Sequence, residues 1–207
     1  MANHKLPAVV ISGDGDSYGE GLNHLLHAAR GNEDITAIIH DNQIYGLTTG
    51  QTSPTSKEGY SSKSTPHGVI EHPINPLGLT IIQGATFVAR GFAGDIPHLT
   101  ELFKQAIAHK GFSHVDVLQP CVTFNHTNTY EWFHDHIYKL DNTNHHPEDK
   151  QTALAKTLET DKIPIGLFYK ERRPTYQESL KQLKENPLVE QAATEPPDIS
   201  KSLKEFM

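Results

Sequence analysis

Apolar residues fall in two patterns along this chain: short unbroken blocks, and stretches where they recur every third or fourth position. Ala8 to Ser12 is a block, and it runs into Gly13-Asp14-Gly15-Asp16. Ile35 to His40 is a second block, followed by Asp41-Asn42. Between them Leu22, Leu25, Leu26 and Ala29 share one face of a helix over Gly21 to Arg30, stopped by Gly31-Asn32. Further on, the pattern predicts a short helix over Pro76 to Ala85 and a strand over Thr86 to Phe92. Asp95 caps a helix that carries Leu99, Leu102, Phe103, Ala106 and Ile107 and ends at Gly111; His114 to Leu118 is the next strand. Thr129 to Leu140 and Asp149 to Leu158 read as helices, Ile163 to Tyr169 as a late strand and Gln177 to Glu185 as a last helix. The order β-α-β-loop-α-β-α-β predicts an α/β fold with a doubly wound, mostly parallel sheet.

The first block is apolar at nearly every position, as a central parallel strand buried on both faces would be. Elements that flank it are expected from later in the chain, from a missing segment or from a partner. Residues 46–68 form a long polar stretch without periodicity, the kind of loop that is functional or mobile. Residues 1–170 read as one domain. Residues 171–207 are polar and proline-bearing, and are expected to be an arm that is partly disordered or packed on a partner.

Composition narrows the function classes. With 36% apolar and 21% charged residues and a net charge of −7, the chain lacks the basic surface of a nucleic-acid groove. No run reaches the roughly 18 apolar residues of a membrane span, and the amino-terminal residues show no signal-peptide pattern. A single cysteine, Cys121, excludes an internal disulfide framework and suits the cytoplasm. Neither His134-Asp135-His136 nor His145-His146 has the spacing of a helical metal site, and most of the fourteen histidines are expected at the surface. Phe124, Tyr130, Trp132, Phe133 and Tyr138 are expected to pack rather than to stack on bases.

Candidate chemistry lies at the strand ends. Asp14 and Asn42 stand about 28 positions apart, roughly one β-α-β unit, so both fall at the carboxyl edge of the sheet. A hard divalent cation that holds a diphosphate takes one or two such oxygens from protein. An EF-hand loop from Asp14 fails, since Tyr18 and Leu25 occupy ligand positions. A nucleotide-binding Rossmann turn is the rival reading, with Gly13, Gly15 and Gly19 as its glycines and Asp41 at the ribose. Against it, Asp14 and Asp16 would set two negative charges beside a pyrophosphate, while a helix N-terminus offsets only about half a charge.

Gly13-Asp14-Gly15 followed by Asn42 matches the thiamine diphosphate signature. The run from Asp41 through Gly46-Leu47-Thr48 to Thr55 resembles the beta subunit of 2-oxoacid:ferredoxin oxidoreductases. So do Pro73-Ile74-Asn75-Pro76, Gly84 to Gly91 and Gln119-Pro120-Cys121-Val122-Thr123-Phe124-Asn125. The resemblance covers about Leu6 to Lys170. It implies a thiamine-diphosphate-binding fold in which Asp14, the side chain of Asn42 and the Ile44 carbonyl ligate Mg²⁺. It further implies that Gly13, Gly15, Asp16, Gly46, Leu47 and Thr48 line the diphosphate and thiazolium end, with Leu47 helping to bend the cofactor.

The implied reaction is oxidative decarboxylation of a 2-oxo acid, 2-oxoglutarate or pyruvate, to an acyl-CoA, with electrons passing to ferredoxin. Coenzyme A and the 2-oxo acid are the implied substrates, and an alpha subunit is the implied partner. Cys121, by itself readable as a buried small hydrophobe, becomes by resemblance the fourth ligand of a [4Fe-4S] cluster. The other three cysteines lie in an N-terminal segment of the family that this sequence lacks. The chain is thus expected to be N-terminally truncated and inactive alone, with a cluster only if those cysteines are supplied. A cluster-free thiamine-diphosphate-binding protein and an inactive fragment are the alternatives.

Overall fold

A computed structural model describes residues 2–183, 186–191 and 198–206. Strands β1 (Ala8–Gly13), β2 (Ile35–Asp41), β5 (Phe87–Phe92), β6 (Ser113–Leu118), β7 (Ile137–Lys139) and β8 (Ile163–Lys170) form one sheet in the order β1-β2-β6-β5-β8-β7. The first four in that order are parallel, and β8 runs antiparallel to β5. A short antiparallel pair, β3 (Ile44–Tyr45) and β4 (Gln51–Thr52), lies beyond the end of β2. The helices are α1 (Leu22–Gly31), α2 (Pro76–Gln83), α3 (Ile96–Ala108), α4 (Tyr130–His136), α5 (Lys150–Thr157), α6 (Tyr176–Ser179) and α7 (Ser200–Glu205).

Side-chain alternation along the strands sorts the helices into two layers. Val88 of β5 and Ala37 and Ile39 of β2 pack with Leu25 and Ala29 of α1, Leu77 and Ile81 of α2 and Ala153 of α5. Phe87, Ala89, Ile38, Val115 and Val117 pack on the other face with Leu102 and Ala106 of α3. Each such large side chain contributes about 1.5–3 kcal/mol when fully buried. The doubly wound, mostly parallel α/β architecture expected from the sequence is the one formed. The caps follow it too: Asp95 accepts from the His98 N–H, and Asn75 accepts from the Gly78 N–H at 3.0 Å. Asn32 ends α1 in the left-handed conformation at φ 52°.

Among the described residues β1 has one sheet neighbour, β2, and Val9, Val10 and Ile11 are 43%, 49% and 65% exposed, on the strand whose remaining flanking elements are expected from a missing segment or a partner. Both helical layers pack over β2, β6 and β5. Two expected elements come out differently. The helix from Thr129 stops at His136, because Ile137–Lys139 pairs with Ile163–Ile165 of β8; tertiary pairing overrides the helical spacing. The helix expected over 177–185 is one turn, Tyr176–Ser179, followed by a 3₁₀ turn at Lys181–Leu183, with residues 184–185 outside the described residues; α7 lies beyond it at Ser200–Glu205.

The start of the 171–207 segment lies on the domain itself. Asn32 Nδ2 donates to the carbonyls of Arg173 and Pro174, its Oδ1 accepts from Phe112 N–H, and Leu183 is buried. Among the described residues no helix is long and apolar enough to cross a membrane.

Candidate functional site

Parallel pairing of Gly13 with His40 sets the carboxyl ends of β1 and β2 side by side, and this register brings Asp14 next to the Asp41-Asn42 turn. Asp14 is 1% and Asp41 3% exposed. Two hydroxyls from the 46–68 loop descend onto Asp14 Oδ2: Ser53 Oγ at 2.6 Å and Thr55 Oγ1 at 2.7 Å. Thr55 Oγ1 is also 2.7 Å from Asp41 Oδ1. Asn42 Oδ1 accepts from the Ile44 N–H at 3.0 Å, an Asx turn that fixes the side chain and starts β3.

After Asp14 the chain makes a π-helical turn, Gly15–Glu20, before α1 begins. Gly15 has no room for a side chain: a Cβ would lie 2.1 Å from the Tyr45 ring, whose hydroxyl donates to the Gly15 carbonyl. Asp16 turns back to accept from the Gly13 N–H at 3.2 Å and is otherwise exposed. The Gly46-Leu47-Thr48 turn borders Cys121, since a Cβ on Gly46 would stand 4.0 Å from its Sγ. Leu47 is 99% exposed, an apolar side chain held in the open beside a polar corner.

A column of buried polar side chains continues downward from Asp41 on the α1–α2 face. Asp116 and His114 of β6 are both fully buried. Tyr18 hydroxyl donates to Asp116 Oδ1 at 2.7 Å and lies 2.8 Å from His114 Nε2. Thr80 Oγ1 meets His114 Nδ1 at 3.0 Å, and Arg90 Nε donates to Asp116 Oδ2 at 2.7 Å. One proton arrangement satisfies this chain: Thr80 donates to Nδ1, Nε2–H to Tyr18, and Tyr18 to Asp116.

The electrostatics follow from burial. Desolvation raises Asp14, partly offset by its Ser53 and Thr55 bonds and by the N–H groups of Asn42 and Gly15. Desolvation, then Asp116 and Asp14, push Asp41 well above the usual carboxylate range. Burial lowers His114 to about 4, so it is neutral. The column thus holds three carboxylates, and Arg90 pairs with only one of them.

Asp14, Asn42, Ile44, Gly15 and Asp16 therefore gather at one corner, with Gly46, Leu47, Thr48 and Cys121 on its rim. The sequence reading missed Ser53, Thr55 and the His114–Tyr18–Asp116–Arg90 column. A signal for the latter existed: His114 and Asp116 alternate with valines in an otherwise apolar strand. His114 and His109 are the buried exceptions to a mostly surface set of histidines, hydrogen-bonded to Tyr18 and Thr86. Among the described residues no three His, Cys, Asp or Glu side chains converge as a metal cage.

Residues 1–117 match the thiamine pyrophosphate enzyme C-terminal TPP-binding domain, and residues 121–185 match the C-terminal region of the pyruvate ferredoxin oxidoreductase beta subunit. A 2-oxoacid:ferredoxin oxidoreductase subunit beta of Sulfolobus sp is 47% identical over 193 residues, 87% of this chain and 63% of the relative. A 2-oxoglutarate synthase subunit of Archaeoglobus fulgidus is 35% identical over 185 residues, covering 89% and 66%. The solved 2-oxoglutarate:ferredoxin oxidoreductase from Magnetococcus marinus, with 2-oxoglutarate, coenzyme A and succinyl-CoA bound, superposes with a TM-score of 0.83 at 34% identity, over 96% of this chain and 68% of that one. The chain spans 63% of the length of the Sulfolobus relative. On its strand-end corner and these matches together, the chain belongs to the beta-subunit family of 2-oxoacid:ferredoxin oxidoreductases, built on the thiamine pyrophosphate enzyme domain.

Proposed function

We propose that this chain holds Mg²⁺-thiamine diphosphate at the β1–β2 corner and acts in oxidative decarboxylation of a 2-oxo acid to an acyl-CoA. The observation that carries the reading is the excess of buried carboxylate at adjoining strand ends. Asp14 and Asp41 are both pushed toward protonation where they stand, and a hard cation beside them would return them to the charged form. The donor set fits magnesium. Asp14 and Asn42 offer side-chain oxygens and Ile44 a carbonyl, which leaves positions for phosphate oxygens and water.

When bound, thiamine diphosphate supplies the nucleophilic carbon for decarboxylation and takes up the electrons released. The chain's own work is to bind and orient. Gly13, Gly15 and Asp16 flank the diphosphate, and Gly46, Leu47 and Thr48 border the thiazolium end, where exposed Leu47 offers an apolar support. The Magnetococcus relative, with 2-oxoglutarate and coenzyme A bound, favours 2-oxoglutarate over pyruvate as substrate. The working partners in this reading are an alpha subunit and ferredoxin, in the cytoplasm.

An iron–sulfur cluster does not fit this chain's own residues. A [4Fe-4S] cluster takes four thiolates, and the sequence carries only Cys121. Cys121 would join such a cluster only with three thiolates from elsewhere, and no electron-transfer step is assigned to it.

Titration of the 207-residue chain with thiamine diphosphate, with and without Mg²⁺, tests the reading. Wild type should bind only with the metal, and Asp14→Asn should weaken binding by at least about tenfold while the far-UV spectrum stays unchanged. Equal affinity in the two proteins would remove Asp14 from the site.

A further inference from the structure

We infer that Ser53 and Thr55 are positioning residues that preset Asp14 for one-oxygen contact with the cation, an inference that rests on the proposal that Asp14 and Asn42 hold magnesium. Both hydroxyls converge on the same carboxylate oxygen, Oδ2, at 2.6 and 2.7 Å. Among the described residues no side-chain hydrogen bond reaches Oδ1, and the carboxylate's remaining partners are the backbone N–H groups of Asn42 and Gly15. A carboxylate held in this way is restrained from rotating and from closing on a cation with both oxygens, so Oδ1 is the atom offered. Magnesium demands near-octahedral geometry at close range, which a fixed single oxygen satisfies better than a swinging pair.

The same loop segment also fixes the spacing of the two strand ends. Thr55 Oγ1 touches Asp41 Oδ1 next to Asn42. Ser56 Oγ accepts from the Ser53 N–H at 2.8 Å and donates to the Gln43 carbonyl at 2.7 Å, on the other side of Asn42. Pro54 between them seats against Gly19, where an added Cβ would stand 3.2 Å from Pro54 Cγ. Ser53, Thr55 and Ser56 are 7%, 6% and 2% exposed. Three buried hydroxyls within four residues of an otherwise irregular loop thus spend their bonds on β1 and on the turn after β2. Ligand-orienting groups of this kind change metal affinity about 10- to 100-fold when removed.

The test uses Mn²⁺ as a spectroscopic probe on the 207-residue chain with thiamine diphosphate, followed by electron paramagnetic resonance. Thr55→Val should weaken Mn²⁺ binding about 10- to 100-fold and broaden the bound spectrum as Asp14 loses its fixed orientation, whereas Thr55→Ser should stay within about threefold of wild type. Ser53→Ala, which removes a hydroxyl without adding volume, should weaken binding in the same direction if Thr55→Val folds poorly. Wild-type affinity in both Thr55→Val and Ser53→Ala overturns the positioning role and leaves the magnesium proposal standing. Equal losses in Thr55→Val and Thr55→Ser assign the effect to packing and also overturn it. A wild-type chain that takes up no Mn²⁺ with the cofactor overturns the magnesium proposal and this inference with it.

Discussion

Replacing Arg90 with methionine should expose how much the buried column depends on one cation. Arg90 Nε lies 2.7 Å from Asp116 Oδ2, with side-chain exposures of 15% and 0%. Methionine fills much of the same space and leaves Asp116 a fully buried carboxylate, with the Tyr18 hydroxyl as its remaining side-chain donor. Breaking a buried pair in this way costs about 3–5 kcal/mol, out of a total stability of roughly 5–15 kcal/mol. At about 2–4 °C per kcal/mol for a domain of this size, Tm should fall by about 6–20 °C. Asp116→Asn should cost less, about 1–3 kcal/mol, because the partly exposed guanidinium can turn to water. In the double variant the methionine faces a neutral amide, so the two losses should fall short of additive by about 1.5 kcal/mol or more. Urea denaturation of the four proteins reads the cycle directly. A loss under about 1 kcal/mol for Arg90→Met, or strict additivity, would refute the claim that Arg90 and the buried Asp116 form an energetically coupled pair.

Two further predictions test the site from other directions. His114 is held at about 4 against an ordinary value of 6.5, so between those values the unfolded chain binds the extra proton. Its contribution is intact above pH 6.5 and is lost as pH falls toward 4, by roughly 3 kcal/mol in all. Stability measured from pH 7 to 4 should therefore fall more steeply in wild type than in His114→Gln, and parallel curves would refute the assignment. Gly15→Ala places a methyl 2.1 Å from the Tyr45 ring and should cost about 1–3 kcal/mol. Tyr45→Ala should cancel most of that penalty in the double variant, and an unrelieved penalty would place its origin in the backbone.

What the sequence made legible was local. Helical spacing located α1, α2, α3 and α5, and short, mainly apolar stretches located β2, β5, β6 and β8, because those patterns record which face meets the core. The meeting of Asp14 with the Asp41-Asn42 turn was also readable, since one β-α-β crossover sets strand ends side by side. Ser53 and Thr55 were not readable. Their bonds reach 39 and 41 residues back to Asp14, and an irregular loop has no period from which to infer where it docks. Ile137 to Lys139 shows the opposite failure, a local pattern that continues the helix while a distant strand claims the residues.

The ladder between β1 and β2 has a consequence for how the corner behaves in time. Among the described residues Asp14 follows directly on a strand whose one sheet neighbour is β2. Local opening of that single ladder also has to break the Ser53 and Thr55 bonds to Asp14, yet it leaves the β2–β6 and β6–β5 ladders in place and so costs less than global unfolding. Amide hydrogen exchange should then be faster in β1 than in β2 or β6. A cation bridging Asp14 and Asn42 binds only the closed form, and would slow that exchange in proportion to its occupancy. On the proposal that Asp14 and Asn42 hold a cation, cofactor loading would be the event that fastens this sheet's first strand to its second.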